Sequence, residues 1–162
     1  MSRADLIVYN IGALYACNGL APRRGPALRE LASVAGAALA THEGRVVYAG
    51  SEDGLNDALD ESPQAVAIDA RGRVVLPGFV DPHTHVIYAG RRLGEFRERL
   101  AGATYLEIAQ RGGGILSTVR QTREATVDEL VEASRPRLDR MLLCGTTTLE
   151  AKSGYGLTTD SE

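Results

Sequence analysis

No stretch of the 162 residues is apolar for long enough to span a bilayer as a helix. The opening MSRADLIVYNIG also lacks the long apolar core and small-residue cleavage site of a signal peptide. Cysteine is scarce: Cys17 and Cys144 lie far apart in sequence and form no metal or redox pair. A reducing cytoplasm is therefore the expected compartment, with both cysteines expected as plain buried apolar residues. A strong charge of either sign is missing too. The net charge is -3 and no cationic cluster stands out, which argues against a nucleic-acid surface. Lysine occurs once, as Lys152, a bias with no functional meaning by itself. Histidine is the informative shortage, because two of the three, His83 and His85, sit one residue apart. What is present in quantity is apolar: 44% of the residues, enough for one ordinary core or for one small and one partial domain.

The chain reads as two unlike halves. Up to residue 76 the pattern is short strands with turn punctuation. DLIVYNI is apolar and β-branched, and GAALATHEGRVVYAG reads as two strands around His42-Glu43-Gly44. AVAIDARGRVVLPG repeats that form around Arg71-Gly72. Between them NGLAPRRGPALRE reads as an exposed loop. These features predict a small β-sheet or sandwich over residues 1–76.

From residue 77 the period changes. GFVDPHTHV reads as an apolar strand ending in polar residues, and EFRERL, TYLEIAQRG and ILSTVRQTREA have helical spacing. TVDELVEASRPRLDRMLLCG is the clearest helix. Thr126 and Glu129 form a capping box and Gly145 a stop, while Pro136 is expected to kink or divide it. TTTLEAKSGYG then reads as a buried strand entering a glycine-rich loop. Strand, helices, strand predicts an α/β arrangement with parallel strands.

That placement gives the histidine pair a meaning. Residues two apart on a strand share a face, so His83 and His85 project together. At the carboxyl end of a parallel strand they face the region where α/β barrels hold their active sites. Neutral imidazoles are common ligands for zinc and iron. The spacing alone also fits two unrelated histidines, one in a core and one on a surface.

The flanking residues decide between these readings. VVLPGFVDPHTHV resembles the signature of the amidohydrolase superfamily, metal-dependent hydrolases in which a small β-sandwich precedes a barrel whose first strand carries His-x-His. HTHVIYAGRRLGEFRERLAGATYLEIAQRGGGILSTVRQTR and RPRLDRMLLCGTTTLEAKSGYGL resemble the imidazolonepropionase family more narrowly. That resemblance implies an N-terminal β-sandwich-like domain over 1–76, followed over 77–162 by the first strands and helices of an incomplete (β/α)8 barrel. It implies one zinc or iron ion, a small-molecule substrate with neither nucleic acid nor membrane, a cytoplasmic location and a homodimeric parent. The implied reaction opens 4-imidazolone-5-propanoate to N-formimidoyl-L-glutamate in histidine degradation. Other amidohydrolases, such as dihydroorotase or cytosine deaminase, are the alternatives, as is a non-catalytic truncated module.

By matching position, His83 and His85 align with the two first-strand metal ligands. Arg92, in AGRRLGEF, matches a substrate-contacting arginine and Tyr155, in KSGYG, a substrate-contacting tyrosine. Arg92 also reads as an ordinary surface arginine, with Arg91 as its competitor, although a guanidinium suits a propionate carboxylate. Gly112-Gly113-Gly114 reads as a turn or close backbone packing, since no Gly-Lys-Ser/Thr follows. Lys152 reads as structural rather than as a metal bridge, so the site is expected to be mononuclear. The family's general acid and base, and its remaining ligands, lie on later strands beyond Glu162. Because a closed barrel needs about 250 residues, the chain is expected to be an N-terminal fragment of a longer enzyme. Val80, Leu142 and Leu149 are expected to be partly exposed in it.

Overall fold

The β-branched run LIVYNI opens strand β1, Leu6–Tyr15, in a computed structural model that describes residues 3–19, 22–59 and 64–162. Two compact units result, Met1–Pro77 and Gly78–Glu162. In the first, β1 pairs antiparallel with β2 (Ser33–His42), and β2 with β3 (Arg45–Ser51). Glu43 and Gly44 close the second pair at φ 49° and 73°, the two positive values that a tight two-residue hairpin needs. The Asp5 carboxylate braces this turn, accepting from the Glu43 N–H (2.6 Å) and the Thr41 hydroxyl (3.0 Å). A four-residue helix α1, Leu55–Ala58, follows β3.

The second expected hairpin is not one. Strands β4 (Val66–Asp69) and β5 (Val74–Val75) both run parallel to β1, beside Leu6–Tyr9 and Ala13–Leu14 respectively. The chain continues along β1 because β1 is itself bulged. Its register with β2 shifts between Val8 and Ile11, Asn10 lies at φ 53°, and Arg71-Gly72 bends beside it at φ 52° and 71°. Asp69 Oδ1 accepts from Asn10 Nδ2 and from the Arg71 N–H, both at 2.8 Å, and the Gly72 N–H donates to the Asn10 carbonyl. Gly12 is required at this crossing, since a Cβ there would lie 2.1 Å from the Gly72 oxygen.

The sheet is covered on both faces by small clusters. Val8 and Leu39 pack with Ile11, Leu14, Ala37 and Ala70, whereas their sequence neighbours Ile7 and Ala40 pack with Ala4 and Leu59. The Pro/Gly/Arg-rich segment holds a short 3-10 turn at Gly25–Arg29; residues 20 and 21 of that expected loop lie outside the described residues. Cys17 and Cys144 are both exposed, against expectation: Cys17 follows the end of β1, and Cys144 caps a helix end instead of facing a core.

The second unit is a βαβ arrangement, as expected. Strands β6 (Phe79–Thr84) and β7 (Thr146–Ala151) are parallel, and between them lie α2 (Leu93–Leu100), α3 (Tyr105–Gln110), α4 (Ile115–Glu124) and α5 (Val127–Leu143). The Thr126–Glu129 capping box opens α5, and an equivalent box, Thr104–Glu107, opens α3. The helix α5 ends before Gly145, whose N–H returns to the Leu142 carbonyl. Pro136 does not divide it: α5 runs through Pro136 as one element, anchored on both sides by Ser134 and Arg137, which reach carbonyls outside the helix. Val80 and Leu142 are exposed and Leu149 half-buried, in line with expectation. Among the described residues no helix is long and apolar enough to cross a membrane.

Candidate metal centre and anion cleft

The residues DPHTH each have a local task at the carboxyl end of β6. Between Asp81 and Thr84 the register with β7 shifts, two residues of β6 facing one of β7, so Pro82 and His83 form a bulge. Proline has no N–H to contribute to a ladder, and bulges are among the few sheet positions that tolerate it. The Asp81 carboxylate accepts the His83 N–H at 3.1 Å, and the Thr84 hydroxyl donates to the Glu150 carbonyl across on β7 at 3.0 Å.

Past the bulge the two imidazoles converge. Their Nε2 atoms are 3.4 Å apart and the rings meet edge-on at 5.3 Å between centroids. That separation is long for an N–H···N hydrogen bond. It matches the roughly 3.3–3.4 Å between two nitrogens that share a tetrahedral ion at about 2.0–2.1 Å. The pair therefore fits two positions of one metal shell. No third His, Cys, Asp or Glu joins them among the described residues.

The loop after β7 closes on this pair. Tyr155 sets its ring 5.5 Å from that of His85. Gly154, at φ 156°, lets the loop pass the imidazole, where a Cβ would stand 2.9 Å from His85 Cε1. The Arg123 Nε on α4 donates to the Gly156 carbonyl at 2.6 Å and so ties down the far side of Tyr155. Tyr88 stacks on Tyr155 at 5.5 Å, and the Arg137 guanidinium lies 3.6 Å over the Tyr88 ring while donating to the Val86 and Tyr88 carbonyls at 2.8 and 2.9 Å. Sequence reasoning missed Tyr88 and Arg137. Arg137 is 49 residues from Tyr88, and no local pattern announces that contact.

Arg92 caps the start of α2 and lines an open cleft of about 610 Å³ together with Tyr88, Arg91, Arg99, Arg137 and Tyr155. Four arginines against one acidic lining residue, Glu95, give the cleft an excess of positive charge. Both expected substrate residues thus share one cleft; His83 and His85 are not in its wall, and Tyr155 links the two features. Lys152 pairs with Glu150 on its own strand end. The triple glycine is a turn, not a phosphate cradle: Gly112 and Gly114 have positive φ, and a Cβ on Gly113 would strike Ile108.

The amidohydrolase family model matches residues 66–133. An imidazolonepropionase of Symbiobacterium thermophilum is 52% identical over 162 residues, all of this chain and 38% of the relative. One from Myxococcus xanthus is 47% identical over 157 residues, 97% of this chain and 37% of the relative. The chain belongs to the imidazolonepropionase family and matches its N-terminal portion. It spans under two fifths of the length of these curated relatives.

Solved structures add the fold. A triazine hydrolase from Arthrobacter aurescens aligns with a TM-score of 0.52 at 16% identity, over 90% of this chain and 28% of its own. A prolidase solved with N-methylphosphonate-L-proline aligns at 0.51 and 21%, over 89% and 24%. At these identities the likeness speaks to architecture only, and supports an α/β fold.

Proposed function

We propose that this chain is the front part of a metal-dependent cyclic amide hydrolase that opens 4-imidazolone-5-propanoate to N-formimidoyl-L-glutamate in histidine degradation. The observation that carries the reading is the convergence of two imidazole Nε2 atoms, 3.4 Å apart at a strand's carboxyl end, in a chain 52% identical throughout to an imidazolonepropionase. On this reading residues 1–76 are part of a β-sandwich-like domain and residues 77–162 the beginning of a (β/α)8 barrel, in which β6 and β7 are the first two barrel strands. The parallel pairing of β6 and β7, with only helices between them, supports this division.

His83 and His85 would hold one zinc or iron ion, two imidazoles presented by one short, bulged segment. Such an ion, when bound, would supply Lewis acidity and lower the pKa of water at the site. The chain's own residues hold the substrate. Arg92 turns its guanidinium edge toward the propionate carboxylate, a bidentate match of planar groups. Tyr155, packed against His85, offers its hydroxyl where ring and metal site meet. The surrounding arginines raise the local concentration of an anionic substrate. The general acid and base, and the other ligands, come from the remainder of the full-length protein.

The test is turnover by purified full-length protein, followed as loss of the imidazolone's ultraviolet absorbance. Ring opening of the propionate-bearing substrate, with much weaker action on the same ring lacking that arm, is expected. No ring opening in the metal-loaded protein, or equal rates on both rings, would overturn this reading.

A further inference from the structure

Arg92 is not a loose surface arginine. Its Nε donates to Glu95 Oε2 at 2.8 Å, three residues along the start of α2. The other oxygen of the same carboxylate, Oε1, accepts the N–H of Gly114 at 3.0 Å. Glu95 is the more enclosed partner, its side chain 17% exposed against 40% for Arg92. One carboxylate therefore joins two separate stretches, RRLGEF and GGGILSTVR, and the glycines permit it. Gly114 bends at φ 71°, and a Cβ at Gly113 would come within 3.1 Å of Glu95 Oε1.

We infer that Glu95 is a positioning residue that presets Arg92 for carboxylate recognition, with the Gly112–Gly114 turn as its anchor. The inference rests on the reading of Arg92 as the grip on the substrate's carboxylate. A guanidinium has five N–H donors in a rigid fork. Glu95 takes the Nε–H, and among the described residues no other acceptor is bonded to the Nη hydrogens, which leaves the Nη1–Nη2 edge for a second, bidentate carboxylate. Arginine otherwise enters binding with most of its rotamer freedom still to lose. Fixing its orientation beforehand removes part of that cost and strengthens substrate binding. Glu95 also opposes binding, because its charge repels the incoming carboxylate across the guanidinium. The two effects predict opposite results when the charge is removed.

Glu95→Gln distinguishes them. The amide oxygen still accepts from Gly114, but its NH2 faces the Nε–H of Arg92 and cannot accept it. In full-length protein, Glu95→Gln is expected to raise KM for the propionate-bearing substrate about 3–10-fold, with kcat within about twofold. In an Arg92→Ala background the same change is expected to add nothing, since the residue it positions is gone. KM unchanged or lowered in Glu95→Gln, or a full multiplicative loss in the double variant, overturns the inference. If the glutamine variant does not accumulate folded, Glu95→Asp serves in its place: it keeps the charge but withdraws it by one methylene, and the same outcomes apply. Arg92→Ala alone separates the two levels. No rise in KM there removes the reading of Arg92 as the carboxylate grip, and this inference with it. A rise there, with Glu95→Gln silent or additive, leaves that reading standing and overturns this one.

Discussion

His83 reaches its position through a sacrifice of strand regularity at Pro82. The missing proline N–H and the shifted register free the His83 N–H from the ladder, and Asp81 takes it up at 3.1 Å. At this scale the sequence was partly legible. A His-x-His at a strand end announces a shared face because the side-chain period is two. The residues that support the pair and the cleft were not legible, because Tyr88, Glu95, Arg123 and Arg137 acquire meaning only through contacts 19 or more residues away. Arg92 is legible from the flanking AGRRLGEF, whereas its partner Glu95 is not. Arg92→Lys keeps the charge and loses the fork, so kcat/KM on the propionate-bearing substrate is expected to fall ten- to a hundredfold, about 1.5–3 kcal/mol. An equal loss on the ring without the carboxylate would show that Arg92 acts through structure instead.

Helices α3 and α5 begin with the same device, a threonine hydroxyl and a glutamate carboxylate exchanging bonds with each other's backbone N–H. The TVDE box is legible in the sequence, and TYLE has the same spacing at the head of a helix of only six residues. One other expectation failed through long-range pairing, and one of the two outcomes expected at Pro136, a divided helix, does not occur. Arg71-Gly72 has hairpin composition, but the bulged β1 accepts both flanking strands in parallel. Pro136 lies inside an unbroken α5 whose neighbouring side chains are tied to the Val86 carbonyl. The boxes make a pH prediction. The backbone N–H of Thr104 or Thr126, then its hydroxyl, holds the carboxyl of Glu107 or Glu129 below the ordinary 4.5. A carboxyl depressed by folding stabilises the fold above its unfolded value and loses that contribution as pH falls through the folded one. Thermal stability should therefore decline below about pH 4.5, and Glu129→Gln should flatten that decline. Thr126→Ala should cost about 1 kcal/mol at neutral pH. Denaturant unfolding with an unmoved midpoint in Thr126→Ala, or an acid limb unchanged in Glu129→Gln, would remove the boxes from the stability of this unit.

Across the whole molecule the chemistry is concentrated in the second unit, where the loops after β6 and β7 bring an imidazole pair, two tyrosines and an arginine-lined cleft together. Two nitrogens are half of a four-ligand shell, so on the proposed reading the other ligands would have to come from outside these residues. On the proposed function, His83 and His85 hold the ion on which ring opening depends. Its most direct test is the metal content of purified full-length protein, by elemental analysis beside turnover, for the parent, His83→Ala and His85→Ala. Close to one zinc or iron per parent chain is expected, with a clear loss of metal in each variant and turnover lost with it. Metal content and turnover both unchanged in either variant would contradict it.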